Sequence, residues 1–158
     1  MCIDAARPPA GFTFATPIKK NALHSDITMR SEDGHIELWT WLWGMGAGLP
    51  QLSGANLPPT FTMSAILNLA RPDEQNPMSA VQTFIEANRE LLATTRADEA
   101  VFGVFEPGPR AVDGRCCAIL VAWHKRGVGV IFAVAFMDID DEAVSERAFA
   151  ALGVLRFR

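Results

Sequence analysis

The chain has 158 residues, 49% of them apolar and 20% charged. That length sets a single domain, and the composition excludes disorder over most of it. Fourteen Lys and Arg against eighteen Asp and Glu leave a net charge of −4, which disfavours a nucleic-acid surface because phosphate binding needs a clustered positive field. A domain of this size buries roughly 70% of the surface of its unfolded chain, so a core forms without disulfide or metal staples.

Residues 1–10, with Pro8 and Pro9, read as a flexible arm, and 11–158 as one domain. Phe12 and Phe14 recur at period two within Gly11 to Pro17, the mark of a strand. Ile27 to Arg30 is a second strand, Asp33-Gly34 supplies turn chemistry, and Ile36 to Trp43 returns, giving a β-hairpin at 27–43. Gly44 to Pro59 reads as loop, with four Gly and three Pro. Phe61 to Leu69 reads as a strand. Asn76-Pro77 then opens a helix to about Thr94, with Asn as N-cap and Pro at the first helical position. Val101 to Phe105, Cys116 to His124 and Val128 to Met137 are three further strands, the last two joined at Lys125-Arg126-Gly127. Asp140-Asp141 caps a final helix, whose apolar side is Val144, Ala148, Ala151 and Leu152 and whose end is Gly153. Val154 to Phe157 reads as a short closing strand. The expected fold is α+β: an antiparallel sheet of six to seven strands with two helices, in the order β-β-β-β-α-β-β-β-α.

Antiparallel strands ordinarily alternate, because one face is buried and the other wet. Cys116 to Trp123 and Val128 to Phe136 are instead apolar on both faces. In Leu38 to Trp43, one face carries Trp39, Trp41 and Trp43 at i, i+2 and i+4. Two helices cover about one face of such a sheet. The second face needs a further layer of the chain, an oligomeric partner or an apolar ligand. Trp is enriched at binding hot spots, and a half-exposed stripe exceeds what a monomer shows to water. Trp39, Trp41 and Trp43, with Trp123, Ile131 and Phe132 on the neighbouring strands, are therefore the candidate partner-binding residues.

Signals for catalysis are absent. Gly44-Met45-Gly46-Ala47-Gly48 follows a strand but no helix follows it, as a nucleotide-binding turn requires. His24, His35 and His124 have no zinc spacing and read as solvated positions near strand ends. Cys117 and His124 on one strand are separated by roughly 23 Å, beyond any nucleophile–base contact. Cys116 and Cys117 are vicinal and point to opposite faces, so they read as small strand residues rather than a disulfide. Asp73-Glu74 and Asp140-Asp141-Glu142 fall at helix starts, where capping explains them. Lys125-Arg126 is too small a basic patch for nucleic acid. No cofactor and no metal are expected, and the protein reads as a non-enzyme.

No apolar run reaches the ~18 residues of a transmembrane helix, and residues 1–20 lack the apolar centre of a signal peptide. The expected location is the cytoplasm; the alternative is a lipid anchor at Cys2 if a signal peptide has been removed.

Several segments carry a family likeness: Gly11 to Pro17, the 27–43 hairpin, a central helix near 77–94, Val112-Asp113-Gly114-Arg115 leading into a strand, the Lys125-Arg126-Gly127 turn, and a last helix closing on Val154 to Phe157. In this order of elements the chain resembles the PsbP-like fold group, which includes the bacterial DcrB-type proteins. The resemblance implies a non-catalytic binding module. One branch looks like chaperones of type VI secretion, which hold hydrophobic segments of toxins on an apolar sheet. The leading expectation is thus a protein-binding module whose sheet face engages a hydrophobic segment of a partner, possible as a homodimer. The rivals are a periplasmic lipoprotein-type module and a small-molecule enzyme with the 44–59 loop as lid.

Overall fold

The computed structural model describes residues 7–17, 19–20, 23–44, 69–70, 81–86, 89–108 and 114–158. Its strands are β1 (Phe12–Ala15), β2 (Lys19–Lys20), β3 (Leu23–His24), β4 (Ile27–Ser31), β5 (Ile36–Gly44), β6 (Val81–Glu86), β7 (Glu99–Phe105), β8 (Cys117–Lys125) and β9 (Gly129–Met137). Its helices are α1 (Arg89–Thr95) and α2 (Glu142–Leu152). Seven strands form one antiparallel sheet in the order β1-β4-β5-β9-β8-β7-β6, and β2 pairs with β3 apart from it. With that small ribbon set aside, the elements run β-β-β-β-α-β-β-β-α, the α+β order read from the sequence.

The two central hairpins form where their turn residues sit. In the β4–β5 turn, Gly34 adopts φ 78 and donates its N–H to Ser31 O at 2.9 Å. A positive φ of this kind suits a residue without Cβ. The β8–β9 turn uses Gly127 at φ 70 in the same way. Asp141 caps α2, its Oδ1 accepting from Ala143 N at 2.9 Å and Val144 N at 3.2 Å, which stabilises a helix start by about 1 kcal/mol.

The fourth strand of the order lies elsewhere than the sequence suggested. The helix expected from Asn76 to Thr94 is strand over Val81–Glu86 and helix only over Arg89–Thr95. Val81, Thr83 and Ile85 are β-branched and recur at period two, and pairing with β7 satisfies their backbone. The helix-like spacing of Val81, Phe84, Ile85, Leu91 and Leu92 came from adding a strand to a helix. Of the strand expected at Phe61–Leu69 only Leu69 is described, with helical geometry. Val154 to Phe157 forms no strand; Phe157 N donates to Thr95 O at 3.0 Å. The loop read at Gly44 to Pro59 lies outside the described residues beyond Gly44, as do residues 1–6 of the arm.

Strand alternation gives the sheet two apolar faces. The first carries Ile36, Leu38, Ile119, Val121, Trp123, Ile131, Ala133, Ala135 and Met137, packed under Val144, Ala148, Ala151 and Leu152 of α2 and under Leu155 and Phe157. Small residues on β9 let the helix approach closely. The second carries Trp39, Phe105, Leu120, Ala122, Val130, Phe132, Val134 and Phe136, with Leu69 and Ala70 packed on it. The Leu69–Ala70 segment is tied to the end of β7: Ala70 bridges Pro107, and Gly108 N donates to Leu69 O at 2.8 Å.

Candidate functional site

The tryptophan stripe lies on the second face of β5, in register with β9. Trp39 pairs with Val134, Trp41 with Phe132 and Trp43 with Val130. The inner end is buried: Trp39 is 2% exposed, edge-on to Phe136 at 4.9 Å and to Trp41 at 6.1 Å between ring centres. Trp41 is half-buried at the rim of this apolar cluster. The Trp43 side chain lies outside the described residues. Partial exposure was expected along the stripe; Trp39 does not have it, because Phe136 and Trp41 pack edge-on against its ring within the apolar cluster.

The six candidate residues do not share one surface. Phe132 stands beside Trp41 on the second face and is buried. Trp123 and Ile131 pair with each other on the first face. Both are wholly buried there, and Trp123 meets Phe102 edge-on at 5.5 Å. Adjacent residues of a strand point to opposite faces, so Ile131 and Phe132 could never act together. The structure brings together Trp39, Trp41 and Phe132.

Two polar groups flank this face; the sequence reading passed over Glu37 and placed His124 in solvent. At one end Glu37, 4% exposed, accepts from Trp39 Nε1 at 2.7 Å and Arg30 Nε at 3.0 Å. Arg115 Nη2 stands 3.9 Å from the same carboxylate, and Arg115 Nη1 donates to Gly34 O and His35 O. The available signal was phase: Glu37 is the one acid in register with three tryptophans. At the other end His124, expected to be solvated, is only 6% exposed and faces Glu99 Oε2 at 3.4 Å. Its β7 neighbour covers it, a non-local contact. His35 is half-exposed and pairs with Asp138 Oδ1 at 3.0 Å.

Among the described residues, Cys117 and His124 form no nucleophile–base pair. Cys117 and His124 occupy opposite ends and opposite faces of β8. Burial, then the charge of Asp140, pushes the Cys117 thiol up, whereas an attacking thiol needs a lowered value. Among the described residues no three of His, Cys, Asp and Glu come together as a metal-binding group, and no helix is long and apolar enough to cross a membrane.

The fold is PsbP-like. Among solved structures the chain is similar to the solution structure of cyanobacterial PsbP (CyanoP) from Synechocystis sp. PCC 6803, with a TM-score of 0.51 and 12% sequence identity over 95% of this chain and 84% of that chain. At that identity the likeness is one of fold. No family model and no curated protein matches the sequence.

Proposed function

We propose that the protein is a non-catalytic binding module that takes an apolar segment of a protein partner at the Trp41 rim of its second sheet face. The observation that carries this reading is the half-buried Trp41, set between buried Trp39 and Phe132. A large ring left partly open at the edge of an otherwise closed apolar cluster is the kind of anchor that dominates interfaces. The finer reading is a bacterial secretion chaperone or adaptor of DcrB type, acting in the cytoplasm on the hydrophobic segment of an effector. The PsbP-like fold supports the module; the secretion role rests on the sequence resemblance.

The test is titration calorimetry with a synthetic apolar peptide of the membrane-spanning type, solubilised by terminal lysines. Binding has a negative heat-capacity change and a weak response to salt. Trp41→Ala, still folded by circular dichroism, loses affinity about thirtyfold, the equivalent of ~2 kcal/mol. A folded Trp41→Ala protein that binds as tightly as the native one overturns the reading.

A further inference from the structure

The seven-stranded sheet ends in two edges, β1 and β6, and they differ. β6 meets β7 with a register shift between Val81 and Thr83. β1 keeps an unbroken register with β4, from Phe12 opposite Ser31 to Ala15 opposite Thr28. The backbone bonds show which way β1 turns its groups. Glu32 N donates to Gly11 O at 2.9 Å, so Gly11, Thr13 and Ala15 face β4. Phe12, Phe14 and Thr16 therefore turn their backbone groups outward. Phe12 N is taken up by Pro9 O at 3.0 Å. Among the described residues nothing pairs with Phe14 N, Phe14 O or Phe12 O.

Sheet edges are ordinarily blunted by charges, bulges or proline. Pro17 ends β1, but no charged residue stands between Arg7 and Lys19, in a chain that is 20% charged. The strand also carries the most exposed large apolar side chain among the described residues, Phe14 at 51%. Its β4 neighbour Met29 is buried, and Phe12, Phe14 and Met29 lie together on the first face of the sheet.

We propose that β1 pairs with β1 of a second copy of this chain, antiparallel and centred on Phe14, joining two sheets into one. The open backbone groups select this occupant because they are self-complementary. With Phe14 opposite Phe14, each Phe14 N–H meets the other C=O, and each Thr16 N–H meets the Phe12 C=O across the seam. Phe12 N is already bonded and Pro17 has no N–H, so the ladder closes at both ends. The two Phe14 rings come side by side on the first face as a cross-strand aromatic pair. No charged side chain of either strand stands at the seam. A second copy brings its strand already extended, whereas a disordered peptide would lose backbone freedom on pairing. The strand is short, so the dimer is weak and depends on concentration. β4 lies between β1 and β5, so this edge is separate from the Trp41 rim and does not rest on that reading.

The test is sedimentation velocity of the native protein from about 1 μM to 1 mM. The expected result is a monomer at the low end and a growing share of dimer toward the high end, little changed by about 0.5 M salt. Phe14→Glu sets two carboxylates opposite each other and weakens the association about tenfold or more. The position is exposed, and far-UV circular dichroism checks that the variant folds. A second measurement reads the register. Hydrogen-bonded antiparallel partners stand about 5.5 Å apart at Cα, inside the range of a disulfide. Mild oxidation of Phe14→Cys therefore links two copies from position 14 to position 14, as read by peptide mass spectrometry. Thr13→Cys, which would stand opposite Ala15 of the other copy, links about tenfold more slowly. Three results overturn the proposal: a monomer over the whole concentration range, a dimer that folded Phe14→Glu leaves unchanged, or equal linking at positions 13 and 14.

Discussion

Trp39 donates its indole N–H to Glu37 Oε1 across 2.7 Å, from two residues further along the same strand face. A carboxylate exposed by only 4% within an apolar layer must be paired and hydrogen-bonded to remain there. Arg30 at 3.0 Å and Arg115 at 3.9 Å supply the opposite charge. The arrangement fixes the Trp39 ring in its buried place on the stripe, edge-on to the half-buried Trp41.

Glu37→Ala removes the acceptor of the Trp39 N–H and the partner of two guanidinium groups. The expected cost is about 1–3 kcal/mol of stability, the penalty of a buried donor left unmade. Glu37→Gln keeps an acceptor for the indole and costs less than Glu37→Ala. Urea denaturation measures both. An alanine variant with the native midpoint and slope would show that the pair contributes nothing.

Trp39 and Trp123 are both buried, on opposite faces, and they differ in one respect. Trp39 Nε1 is bonded, while Trp123 Nε1 has no partner among the described residues. Trp→Phe at either site removes similar volume, so the difference between them isolates the N–H group. Trp39→Phe is expected to cost more than Trp123→Phe by about 1 kcal/mol or more. Thr40 Oγ1 is likewise buried and unpartnered, so the near-isosteric Thr40→Val should leave stability unchanged or raise it. Equal costs for the two tryptophans, or a destabilised Thr40→Val, would place unseen hydrogen-bond partners on the first face.

The hairpins and α2 were legible because their punctuation is local. Asp33-Gly34, Lys125-Arg126-Gly127, the Asp141 cap and Gly153 carry their geometry in a few residues. Strand order is not local. Nothing in the sequence places β9 between β5 and β8, and that order decides that Trp41 meets Phe132 while Trp123 faces α2. On a strand as apolar as β9 the hydrophobic pattern has no phase, so residues of both faces entered one candidate set. The burial of His124 depends on β7, the strand beside it. The segment 81–86 carries helical and strand spacing together, and pairing with β7 settled the choice.

Cys116 is exposed, and Cys117 is half-buried with its thiol pushed up by burial first and by the charge of Asp140 next. The thiolate is the reactive form. Iodoacetamide at neutral pH should therefore modify Cys116 well before Cys117, as read by peptide mass spectrometry. Faster labelling at Cys117 would contradict the packing described for the start of β8.

Asp33 in the β4–β5 turn gathers three donors: Arg147 Nη1 at 2.6 Å, Ser31 Oγ at 2.6 Å and His35 N at 3.1 Å. The Arg147 guanidinium, then Ser31 and the His35 amide, hold its carboxyl well below the usual carboxylate range. The folded-state value thus lies under the unfolded one of about 3.9. The stability it contributes is present above that pH and is lost as pH falls toward the folded-state value. Asp33 is exposed, so solvent screening keeps the contribution small. Asp33→Asn should lower the urea midpoint at about pH 7, and the gap from the native protein should shrink below about pH 4. Salt at about 1 M should shrink it at neutral pH as well. Arg147→Gln removes the largest of the three contacts and should reproduce most of the effect. A gap that holds its size or widens on acidification would mean that the turn is fixed by its backbone, with Gly34 at positive φ, and that the Asp33–Arg147 pair adds nothing to it.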